Sequence, residues 1–183
     1  MRRAPAGLEP LSPRRKWRAI TIGTLLLVPA WWLLLAGLVA AADGTGDGGP
    51  DPAAAIALGL ALIPFAYVAL AFLTEQPRPP AAVLKAMALT LLVGIPVSAL
   101  AADAVTGMVA GLGAGGACAI RADEGHSVRV RAAAVALAAV YTFVLVRTAS
   151  ALVLLPAPVF PFTAVGMADH VSEWRRRREA PVT

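Results

Sequence analysis

Residues 19–41 read AITIGTLLLVPAWWLLLAGLVAA, a run of 23 residues without a charged side chain. At a rise of about 1.5 Å per residue, a helix of this length exceeds the roughly 30 Å hydrocarbon thickness of a bilayer. Six basic residues precede the run, and a loop rich in Gly and Asp follows it. The stretch therefore predicts a transmembrane helix whose basic N-terminal flank stays on the cytoplasmic side.

The composition of the whole chain is typical of several such helices. Of its 183 residues, 58% are hydrophobic and 15% are charged, whereas soluble domains have about 45–50% apolar and about 25% charged residues. So few charges cannot coat a water-facing surface around this much apolar material. We therefore exclude a soluble enzyme, a disordered chain and a nucleic-acid-binding domain, and we expect an all-α, polytopic helical membrane protein.

The basic residues, which give the chain a net charge of +5, cluster beside the apolar runs. This distribution is typical of the positive-inside rule and of contact with a lipid bilayer that has an anionic inner leaflet. It gives no support to a nucleic-acid partner. The excess of Arg over Lys, together with the many Ala and Gly residues, looks like the codon bias of a GC-rich bacterial genome. We therefore expect a multi-pass protein of the bacterial cytoplasmic (inner) membrane.

Six apolar segments are candidates for membrane spans within a single transmembrane domain, residues 19–168. They are residues 19–41, 53–73, 82–102, 104–120, 130–147 and 150–168. A basic cytoplasmic tail, residues 1–18, precedes the domain, and its prolines and charges predict disorder. A second basic cytoplasmic tail, residues 169–183, follows the domain.

The positions of the basic residues decide between six spans and four. Six spans, with both termini cytoplasmic, leave Arg147 as the one basic residue away from the cytoplasmic side. Four spans, the alternative, turn residues 103–131 into an external loop that carries three Arg residues and leaves an apolar run in water. We favour six spans, although the sixth contains three prolines and the fifth is short unless Val128 and Val130 contribute.

Asp103 and Arg147 are the two charges that adjoin the apolar core away from the basic clusters. In the six-span arrangement both lie at external turns, where their side chains reach water. Alternatively, they form an ion pair that ties two hairpins together at the outer face, or they line a vestibule. Four spans would place Arg147 inside a helix, where it would need a buried partner.

Glycines recur every four residues in the fourth predicted span. Gly107, Gly111 and Gly115 therefore lie on one face of a helix. The absence of side chains on such a face lets another backbone approach closely. We predict that this face packs against another helix.

Aromatic and basic residues flank the predicted domain on both sides. Trp17 and Trp174 lie next to Arg clusters, where an amphipathic indole suits the headgroup region. We therefore predict that the two tryptophans anchor the inner face, together with the four consecutive residues Arg175, Arg176, Arg177 and Arg178.

No chemical motif in the sequence is strong enough to name a reaction. The chain contains no HExxH, GxSxG, GxGxxG or Walker loop. His126 and His170 lie outside the predicted spans, whereas the axial ligands of a membrane haem usually lie inside the helical bundle. Cys118, the one cysteine, cannot form an internal disulfide. We therefore name no catalytic residue and expect no metal and no cofactor.

Three classes of function remain open. We favour a non-enzymatic component of a helical bundle that packs with partner membrane proteins or forms a homo-oligomer. The alternative is a small transporter or the substrate-capture subunit of one, which this chain matches in length and span number only. Transport sites usually need polar groups near the midplane of the membrane, and the spans hold few. A membrane-embedded enzyme is least favoured, because no catalytic group is found.

Overall fold

The computed structural model of the protein describes residues 11–44, 51–122, 128–149 and 155–179. Within these ranges the chain forms α-helices and one short 3-10 turn and contains no strand, which confirms the all-α prediction. The helices are α1 (Pro13–Asp43), α2 (Pro52–Leu73), α3 (Pro79–Ala101), α4 (Ala104–Ala119), α5 (Val128–Ala149) and α6 (Phe160–Glu179), and the 3-10 turn is Ala157–Val159.

Four helices in the described ranges, α1, α2, α3 and α5, are long and apolar enough to cross a membrane. By contrast, α4 has 16 residues, which at the standard helical rise give about 24 Å, less than a typical hydrocarbon core. The 20 residues of α6 include a charged second half. The described chain is therefore a helical bundle with the lengths and composition of a membrane protein.

Capping residues and prolines explain where the helices begin. Asp51 caps α2 by accepting the backbone N–H of Ala53 at 3.0 Å. Proline occupies the first turn of α1, α2 and α3. Backbone N–H groups in this turn have no partner within the helix, so proline, which lacks an N–H, fits there without losing a hydrogen bond. Prolines therefore mark the starts of these three helices, although each of the three also contains a proline in its interior.

The start of α1 corrects the expectation that residues 1–18 form a disordered tail. Ser12 accepts the backbone N–H of Arg15 at 3.3 Å, and the helix begins at Pro13. The prolines and charges of this segment predicted disorder, but a Ser-Pro pair is also a favourable helix start. Residues 1–10 lie outside the described residues.

The described part of the sixth predicted span, residues 150–168, is not one continuous helix. Leu155 and Pro156 form a turn, the 3-10 turn follows, and α6 begins only at Phe160. The physical reason is the closely spaced prolines of this segment, which lack the backbone N–H that a continuous helix needs. The first residues of that predicted span, 150–154, lie outside the described residues, and α6 continues well beyond residue 168.

The helices pack as two close antiparallel hairpins, α1 with α2 and α3 with α4, completed by α5 and α6. In the first hairpin, a Cβ on Gly59 would lie 2.9 Å from the carbonyl oxygen of Ala30, so the two backbones nearly touch. The second hairpin places α4 at the centre of the bundle, in contact with α2, α3, α5 and α6. Most residues of α4 are buried, whereas Ala86 is the one buried residue of α3.

The glycine face of α4 lies against α3. A Cβ built on Gly111 would lie 2.5 Å from the carbonyl oxygen of Thr90 and 3.0 Å from the Cα of Gly94. Cβ atoms on Gly107 and Gly115 would overlap side chains of neighbouring helices. The backbones of α3 and α4 therefore approach as closely as small residues allow.

We expect Gly111→Leu to lower the free energy of unfolding by about 1–3 kcal/mol, because the new side chain has no space against the backbone of α3. Thermal unfolding in detergent measures the effect. Ala88→Leu is the matched control, because Ala88 is exposed on α3, and it should leave the melting temperature unchanged. Equal tolerance at the two positions would show that the glycine spacing is an accident of composition.

Candidate functional site

Charged side chains collect at one end of the bundle, which we call the basic end. Ion pairs and hydrogen bonds bring together there the start of α1, the end of α2, the end of α4, the start of α5 and the middle of α6. The opposite end carries Asp103 and Arg147. The charge of the bundle is therefore distributed very unevenly between its two ends.

Asp169 of α6 is the centre of a buried cluster at the basic end. Its side chain is 0% exposed. Arg131 of α5 donates two hydrogen bonds to the carboxylate, from Nε to Oδ1 at 2.9 Å and from Nη2 to Oδ2 at 2.5 Å. From α1, Lys16 places Nζ 3.6 Å from Oδ2. One carboxylate thus holds two buried cations that come from two other helices.

Arg131 also binds the end of α4. Its Nη1 donates to the carbonyl oxygens of Ala117 and Ile120 at 2.5 and 2.8 Å, and its Nη2 donates to that of Arg121 at 3.3 Å. The last carbonyl groups of a helix have no partner within the helix, so a nearby guanidinium satisfies them well. The side chain of Arg131 therefore neutralises the charge of Asp169 on α6 and also caps the C-terminal end of α4.

The turn after α2 forms a second set of contacts at the basic end. Glu75 pairs with Arg15 of α1 at 2.5 Å and lies 3.6 Å from Nη1 of Arg121 at the end of α4. Beside it, Thr74 accepts the backbone N–H of Arg121 at 3.1 Å. Gln76 donates through Nε2 to two more carbonyl oxygens at the end of α4. This turn therefore joins α1, α2 and α4.

The geometry supports a structural role for the cluster of Lys16, Arg131 and Asp169, which we call the clamp. An ionised side chain removed from water costs several kcal/mol unless it is paired and hydrogen-bonded. Here the carboxylate of Asp169 and the guanidinium of Arg131 are satisfied by each other and by helix ends. In the described ranges no three His, Cys, Asp or Glu side chains come together as a metal site requires. The cluster holds helices in register.

The structure brings Asp103 and Arg147 to the same end of the bundle but does not join them. Asp103 caps α4 by accepting the backbone N–H groups of Val105 and Thr106 at 3.1 and 2.9 Å. Arg147 donates to the carbonyl oxygen of Ala101 at 3.1 Å. Both therefore stabilise the turn between α3 and α4, and the described residues include no ion pair between them.

The two tryptophans that flank the domain have different surroundings. Trp17 is half-buried and packs its ring against the backbone of α6 at Gly166. Trp174 is exposed, and the guanidinium of Arg178 lies 3.7 Å from its ring centroid. Trp17 therefore packs between α1 and α6, whereas Trp174 lies on the part of α6 that extends beyond Asp169.

The four consecutive arginines lie in the last turns of α6. Arg177 pairs with Glu173 at 3.0 Å, one helical turn before it. Arg175 is exposed and Arg176 is half-buried. These side chains therefore line a charged helix rather than an extended tail.

The buried cluster is the feature that sequence reasoning missed, because Lys16 and Asp169 fall in the two predicted basic tails and Arg131 falls at the very start of the fifth predicted span. A signal was present in the spacing. Asp169 follows the buried residues Phe162 and Val165 at helical intervals, so it continues their face of α6. A charge that falls on an apolar face in this way is a candidate for a buried pair.

A search of protein families, curated proteins and solved structures finds no match to this chain.

We expect Asp169→Asn to destabilise the protein by about 3–5 kcal/mol, because it removes the buried carboxylate that accepts two hydrogen bonds from the buried guanidinium of Arg131. The same change at the other end, Asp103→Asn, is the matched control. Since Asn caps helices about as well as Asp, that variant should lose less than about 0.5 kcal/mol. Thermal unfolding in detergent compares the two.

If Asp169→Asn gives no folded protein, Asp169→Glu keeps the charge, and recovery of folded protein in that variant would assign the loss to the ion pair. Equal, small effects at both aspartates would contradict a buried clamp.

Proposed function

We propose that this chain is a non-enzymatic component of the bacterial inner membrane, a six-span bundle that works by lateral association with partner membrane proteins or with copies of itself. Three features support the proposal. They are the charge difference between the two ends, the polar groups of the interior, and the exposure of α3.

The charge difference supports both the orientation and the number of spans. Basic residues are retained on the cytoplasmic side, so the basic end faces the cytoplasm and both termini lie there. Although α4 is short, it runs from Asp103, near Arg147, to carbonyl groups bound by Arg131 at the basic end. A topology with residues 103–131 outside the membrane would place this buried helix in water.

Cysteine labelling tests this orientation after Cys118 is replaced by Ala. Ala42, near the end of α1, and Ala122, just beyond α4, are both exposed in the bundle. An impermeant thiol reagent applied to intact cells should label Ala42→Cys and not Ala122→Cys, and permeabilised cells should show labelling at both. Labelling at both positions in intact cells would contradict six spans, and labelling at Ala122→Cys alone would reverse the orientation.

Three polar side chains of the interior, those of Tyr67, Thr90 and Thr142, bind each other or their own helices. The hydroxyl groups of Tyr67 and Thr90 are 2.6 Å apart, and Thr90 also donates to the carbonyl oxygen of Ala86 at 2.8 Å. In α5, Thr142 donates to the carbonyl oxygen of Ala138 at 2.8 Å. A transport site needs such groups to point at a ligand. This pattern favours a packing role over substrate capture.

The single observation that carries the proposal is the position of α3 at the edge of the bundle. Only 6% of the most apolar 18-residue stretch of α3 is buried, against 33% for the corresponding stretches of α1 and α2. The backbones of α3 and α4 pack closely against each other at glycines, and the large side chains of α3 stay exposed. These side chains are therefore available to another protein, and the most exposed are Leu84, Leu92, Ile95 and Leu100.

Photocrosslinking in the native membrane tests the role of α3. A photoreactive amino acid replaces Leu92 or Ile95 on α3. Leu25 on α1 and Leu137 on α5, which are comparably exposed, are the matched control positions. We expect a discrete protein adduct from the α3 positions that the control positions do not give. Mass spectrometry of the adduct separates a second copy of this chain from another membrane protein. Lipid adducts alone at every position would overturn the proposal.

A further inference from the structure

A groove of about 520 Å³ lies between α1 and α6 at the basic end. Arg14, Trp17, Arg18 and Ile22 of α1 form most of its wall, and His170 of α6 faces them. Lys16, on the other side of α1, points into the buried cluster instead. The groove is therefore separate from the clamp around Asp169.

Arg14 and Arg18 give the groove its charge. They lie one turn apart on the same face of α1, and both are exposed. The adjacent Arg15 is occupied by Glu75. No carboxylate of the described residues pairs with Arg14 or Arg18. The mouth of the groove thus offers two guanidinium groups and the imidazole of His170 to an anion.

The same groove is apolar toward the middle of α1. Trp17 is held in place by its contact with Gly166, and Ile22 lies one turn deeper than Arg18. Leu25 and Leu26, which are 65% and 40% exposed, extend this apolar face further along α1. A molecule that fits both parts has an anionic head and a hydrocarbon chain.

We propose that this groove binds an anionic phospholipid, with its phosphate between Arg14 and Arg18 and one acyl chain along Ile22 and Leu25. Guanidinium groups bind phosphate through paired, charge-assisted hydrogen bonds. Basic pockets between membrane helices recognise anionic headgroups by the same chemistry. The proposal requires that α1 crosses the membrane, and it does not depend on the lateral association of α3.

Native mass spectrometry of the full-length protein in mild detergent tests this site. The probes are phosphatidylglycerol and phosphatidylcholine, titrated separately. We expect the first phosphatidylglycerol to bind more tightly than phosphatidylcholine. The double variant Arg14→Gln/Arg18→Gln should weaken that first binding step by about thirtyfold, since each basic residue near a membrane surface contributes roughly fivefold.

The matched control is Arg175→Gln/Arg178→Gln, which removes the same charge from exposed positions of α6 outside the groove. It should weaken the first binding step far less, and both double variants should keep the melting temperature of the parent. Equal weakening by the two variants would show diffuse surface attraction and overturn the site. Equal binding of the two lipids would do the same.

Inorganic phosphate distinguishes a lipid headgroup from a free anion. If millimolar phosphate displaces phosphatidylglycerol completely, the acyl chain contributes nothing and the lipid assignment is wrong. Retention of the lipid at the same phosphate concentration supports it. Because lipid binding is measured on the isolated protein, its failure leaves the crosslinking result for α3 unaffected.

Discussion

The buried pair of Arg131 and Asp169 is the interaction on which the rest of the bundle depends. An ionised carboxylate with 0% exposure is tolerated only when its charge and lone pairs are satisfied. Arg131 from α5 and Lys16 from α1 meet at this carboxylate on α6 and contribute to satisfying it. The guanidinium then has donors left over, and these bind the end of α4. One charge thus determines where four helices lie relative to one another.

The short central helix is possible because of that interaction. An unpaired carbonyl group buried away from water costs free energy, so the last carbonyl groups of a buried helix need partners from outside the helix. Arg131 and Gln76 supply them for α4. Glycines such as Gly111 let the backbone of α3 approach closely, so the short helix α4 packs at the centre of the bundle. Polar capping at one end and small residues along one face therefore work together.

Local signals predicted the helices well, whereas the clamp depends on which helices meet. Long apolar runs predicted α1, α2, α3 and α5 because length and composition alone decide whether a helix can span a membrane. The start of α6 was misplaced because prolines interrupt its apolar run. Asp103 is a charge beside the apolar core, yet the first turn of its own helix satisfies it. Asp169 was overlooked because its partners lie on α1 and α5, far away in sequence.

The clamp and the exposed α3 are the basis on which we propose a rigid scaffold and not a moving carrier. Alternating access requires one part of a bundle to rock against another. At the basic end such a motion would break the five hydrogen bonds of Arg131 together, and removing one partner of a buried pair costs about 3–5 kcal/mol. By contrast, α3 meets the bundle through a backbone seam and keeps its large side chains outside. A fixed core with one helix presented at its edge is suited to lateral association.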